Sequence, residues 1–312
     1  GAGGERGDVL RGAQAGAGWR RRPLDEAPRL VLRRGRGGVI HVRAFSGGKD
    51  STALVLWCNE QGLDGLTVFC DTGWEHPLTY AYIEEINRTV LGGSLIRLIP
   101  DEWVPDNVPE KYHDMRDLVT RKGRVPSVRA RFCTEYLKTN PMRAWVEKQN
   151  DEVTIYQGIR AEESPSRAKM PLREWSDYYD SWVERPLLRW TAQEVFGYLA
   201  KHGVEANPLY KLGSKRVGCF PCVMTGHAEL RRLHAMLPEV WDRVAELERL
   251  SGRTFYPPDF IPSRFCSKTD PKTGVRIPTV EDVKKYILGN DEAQLAMFGE
   301  TPACMSVYNQ CE

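Results

Sequence analysis

Val39-Ile40-His41-Val42-Arg43-Ala44-Phe45, Ser46-Gly47-Gly48-Lys49-Asp50-Ser51 and Thr52-Ala53-Leu54-Val55-Leu56-Trp57 follow one another without a gap and read as strand, glycine turn and helix. Two adjacent glycines let a backbone come close to an anion. Ser46 and Ser51 supply hydroxyls, Lys49 supplies an ammonium, and the new helix turns its free N–H groups toward the same point. A polyphosphate is the expected guest. The spacing is not that of the P-loop, which separates its first glycine from a Gly-Lys pair by about four residues, nor that of the dinucleotide G-x-G-x-x-G fingerprint. A turn that merely starts a helix would leave the two serines, Lys49 and Asp50 to coincidence.

Downstream, Ser51 to about Gln61 reads as a helix packed on a sheet, and Leu66 to Cys70 as a second buried strand ending in Asp71-Thr72-Gly73-Trp74-Glu75. Strand, helix, strand in this order implies a parallel sheet with a right-handed crossover, whose ligands gather at the carboxyl ends of the strands. Asp71 stands at such an end. The run Ser46 to Ser51 resembles the pyrophosphate loop of the PP-loop (N-type) ATP pyrophosphatases, which cleave ATP between its α and β phosphates and adenylate a substrate. Asp71 to Glu75 resembles the second motif of one branch of them. That branch holds the phosphoadenylyl-sulfate (PAPS) reductases, the small subunit of bacterial ATP sulfurylase and the DNA-phosphorothioation ATP pyrophosphatase. In motif set the chain is most similar to the phosphorothioation-like and phage PAPS-reductase-like members.

The resemblance implies an α/β fold, a Rossmann-like (adenine nucleotide alpha hydrolase-like) parallel sheet flanked by helices, followed by a mostly helical or irregular cysteine-bearing region. The expected divisions are a leader at 1–38, a nucleotide-binding domain at 39–215 and the cysteine-bearing region and tail at 216–312. Helices are expected at 77–90 and 141–149, strands at 94–99, 153–157 and 182–188, and an aperiodic cover at 100–131 rich in proline and charge. Arg121, Lys122, Arg124, Arg129 and Arg131 crowd its end, as a solvated basic loop or as a landing strip for a phosphorylated or nucleic-acid substrate. Thr191-Ala192-Gln193-Glu194 is a capping box that starts a helix ending near Gly203. The residues from 228 to 250 read as one long helix bent at Pro238, and 280–288 as a short one.

Gly158-Ile159-Arg160, with Ser164 and Arg167 behind it, is similar to the branch's Gly-x-Arg segment facing the nucleotide and the anionic half of the substrate. Arginine suits that role because its planar fork matches phosphate or sulfate oxygens. Taken together, the resemblance implies catalytic roles for Lys49, Asp50 and Arg160. It implies nucleotide contacts from Ser46, Gly47, Gly48, Lys49, Asp50, Ser51, Asp71, Gly158, Arg160 and Arg167. A Pro-Leu-x-x-Trp segment at 186–190 and an Asn-Pro-Leu-Tyr turn at 207–210 also look like the family, in which they precede a cysteine pair.

Here that pair is Cys219-Phe220-Pro221-Cys222, a clip whose two thiolates can face one soft metal. Cys133 lies 86 positions before Cys219 and Cys266 lies 44 after Cys222, giving four thiolates for tetrahedral Zn²⁺ or a 4Fe-4S cluster. Spacing does not separate the two, and a redox Cys-x-x-Cys or buried free thiols need no metal at all. The resemblance favours the cluster, because assimilatory adenylyl-sulfate reductases hold one with a tandem Cys-Cys and a later Cys-x-x-Cys. This chain has Phe132-Cys133 where the tandem stands, so the resemblance requires Cys266 or a tail cysteine as the fourth ligand, and Cys266 is the one expected, with the same Arg-Phe-Cys context as Cys133. Cys304 and Cys311 read either as tail thiols able to reach a site or as incidental.

The totals bound these expectations. The chain has 312 residues, 41% of them hydrophobic, and a formal charge of +2, so it is not a polyanion-coating protein as a whole. The first 40 residues hold nine arginines against four acids and ten of the 28 glycines, the composition of a disordered leader or one left by cloning. Eight cysteines without a secretory signal argue for metal or thiol chemistry over a disulfide scaffold, and the cytoplasm is the expected compartment, with no membrane partner. The whole reading is an ATP pyrophosphatase that adenylates an acceptor for sulfur transfer, using ATP, Mg²⁺ and a 4Fe-4S cluster (Zn²⁺ being the alternative). Expected partners are an adenine nucleotide, DNA or another nucleic acid, and a sulfur donor such as a cysteine desulfurase; a dimer is compatible with the sequence. The alternatives are a phosphoadenylyl-sulfate or adenylyl-sulfate reductase that releases sulfite, and a nucleotide-binding subunit without chemistry of its own.

Overall fold

The computed structural model describes residues 38–289, so the arginine-rich leader and the tail cysteines Cys304 and Cys311 fall outside the described residues. Strand β1 (Val39–Phe45) runs into helix α1 (Lys49–Glu60), β2 (Gly65–Cys70), α2 (Pro77–Thr89) and β3 (Ile96–Leu98). Helices α3 (Met115–Lys122) and α4 (Asn140–Glu147) lead to β4 (Glu152–Gln157), and the hairpin β5 (Arg173–Ser176) and β6 (Ser181–Glu184) precedes α5 (Ala192–Lys201). Helices α6 (His227–Met236) and α7 (Val240–Ser251), the small pair β7 (Lys268–Thr269) and β8 (Arg276–Ile277), and α8 (Val280–Gly289) follow.

The main sheet has the order β3-β2-β1-β4-β6-β5. Strand β1 pairs in parallel with β2 on one side and with β4 on the other, β6 continues in parallel, and only β5 turns antiparallel at the edge. The chain winds outward from β1 to β3 and then returns to place β4 on β1's free edge. That reversal opens a crevice beyond the carboxyl ends of β1 and β4, where an open α/β sheet holds its ligand.

Burial on both faces explains the near-continuous apolar runs of β1, β2 and β4. On one face Val42, Val68, Ile155 and Val183 pack with Met142, Trp145 and Val146 of α4. On the other, α1 is wedged between two neighbours: Ala53 and Leu54 meet Val195, Phe196 and Leu199 of α5, while Val55 meets Tyr82, Ile83 and Ile86 of α2. Such a helix is buried nearly all round and has no polar face to show.

A further cluster joins Leu118 and Val119 of α3 and Leu137 to Leu230, Leu233, Val240, Val244, Val283 and Ile287 of the C-terminal helices. Residue 215 is therefore no seam in the packing, since the same apolar cluster lies on both sides of it. Trp74 lies in this cluster between the guanidinium groups of Arg116 and Arg243, 4.9 and 4.3 Å from its ring.

Several local expectations are met. The capping box at Thr191 and Glu194 forms reciprocally, with Glu194 N donating to Thr191 Oγ1 at 3.2 Å and Thr191 N to the Glu194 carboxylate at 2.6 Å. Others are refined. Within the stretch taken as aperiodic, α3 starts on an Asp114 cap and ends at Gly123 in the left-handed region. The long helix at 228–250 divides into α6 and α7 at Leu237-Pro238-Glu239, because proline lacks the amide that would carry the helix through. Ahead of α4 the chain forms one wide turn of π-helix at Glu135–Thr139, a geometry that concentrates at functional sites.

Leu118 is fully buried where α3 meets the C-terminal helices. Leu118→Ala is expected to lower unfolding stability by about 2–5 kcal/mol in urea titrations. A loss below about 1 kcal/mol would mean that this cluster does not bind the two halves of the chain together.

Candidate functional site

The turn after β1 is held by hydrogen bonds that close on themselves. Gly48 O accepts from Thr52 N, Thr52 Oγ1 and Ser51 Oγ, each at 3.0 Å. Ser46 N donates to Ser51 Oγ, and the Ser46 and Ser51 hydroxyls lie 3.2 Å apart. Both serines thus shape the loop before they meet any ligand. Gly47 has φ +72°, and a Cβ there would stand 2.8 Å from Ile83 Cγ1, so the position needs glycine twice over.

Two cations hold the carboxylate at the head of α1. Lys49 Nζ lies 3.0 Å from Asp50 Oδ2, and Arg160 Nε lies 2.5 Å from Oδ1. Arg160 also pairs with Glu162 at 2.6 Å and is 4% exposed, so it braces the loop from the β4 side and is not part of the cavity wall. Gly158 brings that side close. A Cβ on it would fall 2.7 Å from Asp50 O and 3.1 Å from Ser51 N.

Beside the loop lies a cavity of about 370 Å³, within the usual range for small-molecule sites. Ser46, Gly48, Lys49, Asp50, Ser51 and Gly158 form one part of its wall, and Cys70, Glu75 and Lys138 another. Arg167 and Arg216 line it as well, both pairing with Glu163. Asp71 is engaged elsewhere: it accepts from Gly73 N at 2.9 Å, Tyr80 Oη at 2.6 Å and Arg97 Nε at 2.7 Å, shaping the turn after β2. The acid that reaches the cavity from this motif is Glu75, which accepts from Thr72 Oγ1 at 2.8 Å and lies 3.0 Å from Tyr80 Oη. Burial raises its pKa, with Asp71 adding to the effect and Lys138 opposing it.

The backbone ties the first cysteine of the pair to Glu75. Glu75 and Cys219 form an isolated antiparallel bridge, and Phe220 N donates to Trp74 O at 2.8 Å. Cys219 Sγ lies 3.6 Å from Thr72 Oγ1. Burial pushes the Cys219 thiol up to about 11 and the Cys70 thiol up to about 12, and it raises Cys133 as well. Lys138 faces Cys219, Glu75, Cys222 and Cys70, and these neighbours, Cys219 most of all, raise its pKa against the opposing effect of burial. Cys133 and Cys222 are near enough to influence each other electrostatically.

Cys266 does not join them. It is buried after a short turn at Ser263–Phe265, with its thiol toward Pro262 O and with Asp282 and Arg276 as its charged neighbours. Among the described residues no three His, Cys, Asp or Glu side chains are grouped as metal ligands. Among the described residues, the set Cys133, Cys219, Cys222 and Cys266 therefore does not fit a 4Fe-4S cluster or Zn²⁺, because repetition of Arg-Phe-Cys does not give Cys133 and Cys266 the same surroundings.

Glu75 and Tyr210 stand inside motifs that assign them no role, and Lys138, Arg216 and Cys70 stand outside the motifs that point to the site. The available signal for Lys138 is its position five residues after Cys133. Tyr210 reaches the loop from 161 residues away, and no local pattern announces that contact.

Residues 40–225 match the phosphoadenosine phosphosulfate reductase domain family. An uncharacterized 37.8 kDa protein of Escherichia phage 186 is 32% identical over 323 aligned positions, covering 86% of this chain and 96% of the phage protein. The adenosine 5'-phosphosulfate reductase of Streptomyces coelicolor is 27% identical across 64% of this chain and 80% of its own length. An uncharacterized protein of Methanocaldococcus jannaschii is 30% identical over 64% of this chain, which spans only 39% of that longer protein.

The close approach at Gly158 makes a paired prediction. Gly158→Ala is expected to cost about 1–3 kcal/mol through a forced backbone shift at the head of α1 and to weaken nucleotide binding. Gly197→Ala, in the interior of α5 with nothing within 4 Å of the new Cβ, is expected to stabilise by about 0.5–1 kcal/mol. Thermal unfolding of both variants checks it, and equal effects would discount the contact.

Proposed function

The chain belongs to the phosphoadenosine phosphosulfate reductase domain family, and from that membership we propose that it is a PP-loop ATP pyrophosphatase that adenylates an acceptor for sulfur transfer. One observation carries the reading: the turn Ser46 to Ser51 keeps both glycines and Lys49 at the head of a 12-residue helix, on the wall of the cavity at the sheet's switch point. A protein that only reads an already activated sulfonucleotide has no pyrophosphate leaving group to grip.

The ATP phosphates would lie along the loop, with its amides and the Lys49 ammonium turned toward them. Lys49 has three donors and gives one to Asp50, which leaves the others for the negative charge that builds on the departing pyrophosphate. Mg²⁺ would enter bound to the ATP phosphates, where it neutralises charge. An oxygen of the acceptor attacks the α-phosphorus, the bond to the bridging oxygen breaks, and acceptor adenylate and pyrophosphate result. A persulfide from a donor such as a cysteine desulfurase then attacks through its outer sulfur and displaces AMP, and a second thiol of the donor breaks the S–S bond, releasing the thiolated acceptor and leaving a disulfide on the donor. No step passes through a metal cluster.

DNA or another nucleic acid is the acceptor this reading favours. Arg124, Arg129 and Arg131 are exposed just ahead of Cys133, and among the described residues none of them pairs with a carboxylate. Exposed arginines without a carboxylate partner suit a phosphodiester backbone. A second reading, reduction of an adenylyl or phosphoadenylyl sulfate, draws on the similarity to the Streptomyces coelicolor reductase. It predicts thioredoxin-dependent sulfite release with no consumption of ATP.

Purified protein with ATP, Mg²⁺ and a nucleic-acid acceptor is expected to yield AMP and pyrophosphate in equal amounts. Lys49→Ala is expected to reduce that turnover about 100-fold or more. Sulfite release without ATP use would replace this reading with the reductase, and ATP binding without AMP formation would leave a nucleotide-binding subunit.

A further inference from the structure

The Asn-Pro-Leu-Tyr turn at 207–210 is fastened to the phosphate loop at two atoms. Asn207, fully buried, donates from Nδ2 to Gly47 O at 3.0 Å and orders its own turn by accepting from Leu209 N at 3.0 Å. Tyr210, 2% exposed, accepts from Lys49 N at 3.1 Å through its hydroxyl oxygen. A buried phenol thus occupies the first amide of α1, one of the N–H groups that a helix N-terminus would otherwise present to an anion.

A phenol that accepts one hydrogen bond still has its own proton to place. Among the described residues no acceptor takes the Tyr210 proton, although the side chain is almost wholly buried and lines the cavity. Space has been left for it. A Cβ on Gly48 would stand 3.4 Å from Tyr210 Oη, and the ring is held edge-on to Phe196 at 5.5 Å, so the hydroxyl has little freedom to turn away. A buried donor without an acceptor is costly, and the cost disappears when a ligand supplies the acceptor.

We infer that Tyr210 is a polyphosphate-binding residue, donating its phenolic proton to an oxygen of the same pyrophosphate unit that the loop grips, while Asn207 fixes the loop carbonyl behind it. The hydroxyl converts one backbone amide into a donor that reaches further into the cavity than the amide itself could. This inference rests on the polyphosphate reading of the loop and adds to it a contact from outside the loop. Binding energy from Tyr210 therefore belongs to the β and γ phosphates and not to the adenosine half.

Calorimetric titration of Tyr210→Phe with inorganic pyrophosphate, and separately with AMP, tests it. The variant keeps the ring and its packing on Phe196. The expected result is pyrophosphate affinity reduced roughly 10- to 100-fold, as for a lost hydrogen bond to a charged group, with AMP affinity and melting temperature unchanged. If the parent binds pyrophosphate and Tyr210→Phe binds it within twofold, the inference fails and the loop reading stands. If both affinities fall together with the melting temperature, Tyr210 is a structural prop and the inference also fails. If the parent binds no pyrophosphate, the inference fails together with the reading beneath it.

Discussion

The start of α1 and the turn after β4 touch backbone to backbone, so closely that a single methyl group at Gly158 would fall 2.7 Å from the Asp50 carbonyl. The sheet order makes this contact possible, because β4 returns to lie beside β1 and the loops after both strands emerge at the same edge. Once they meet there, the turns act as one piece. Arg160, two residues beyond Gly158, reaches Asp50 at 2.5 Å, and Asp50 in turn takes the Lys49 ammonium. A buried arrangement of this kind is unfavourable in fragments, since removing any one charge strands the others. The geometry of the phosphate loop is therefore set as much by β4 as by the residues of the loop.

This explains what the amino-acid sequence discloses and what it withholds. The strand, turn and first helix are legible because their signals are local: an apolar run, two glycines, and hydroxyls and a lysine within six residues. The capping box before α5 is legible for the same reason. Helix α3 escaped notice because only Met115, Leu118 and Val119 are buried in its eight residues, too short a stretch to display a period. Edge strand β5, Arg173-Glu174-Trp175-Ser176, has one neighbour and one apolar residue, so its identity as a strand comes from pairing with β6. Asn207 and Tyr210 act across 160 and 161 positions, and a single sequence contains nothing that ties them to Gly47 and Lys49.

The cysteines show how a shared motif differs from a shared place. Arg-Phe-Cys occurs at both 131–133 and 264–266, yet the first leads into the wide π-helical turn that presents Lys138, while the second ends a short turn against α8. Cys219 is held beside Glu75, which lines the cavity, by a backbone bridge, a contact that depends on strand direction and not on thiol chemistry. Cys266 has Asp282 and Arg276 for company. Counting thiols along the chain could give the number of candidates but not their company, because company is decided by the packing of α7 and α8.

Charge is distributed unevenly around the cavity, and the imbalance has a consequence. At the loop, Lys49 and Arg160 face Asp50 and Glu162, so the charges there are matched. At the rim, Arg167 and Arg216 share the one carboxylate of Glu163. At the far wall, Lys138 carries a positive charge while burial pushes Glu75 and the Cys70 thiol on that wall, and the nearby Cys219 thiol, toward their neutral forms. The cavity is left with more cationic than anionic charge, and a polyanion entering it restores the balance. The partly exposed pairing of Arg216 with Glu163, at 3.7 Å, is the weakest of these links and the easiest for a phosphate oxygen to replace.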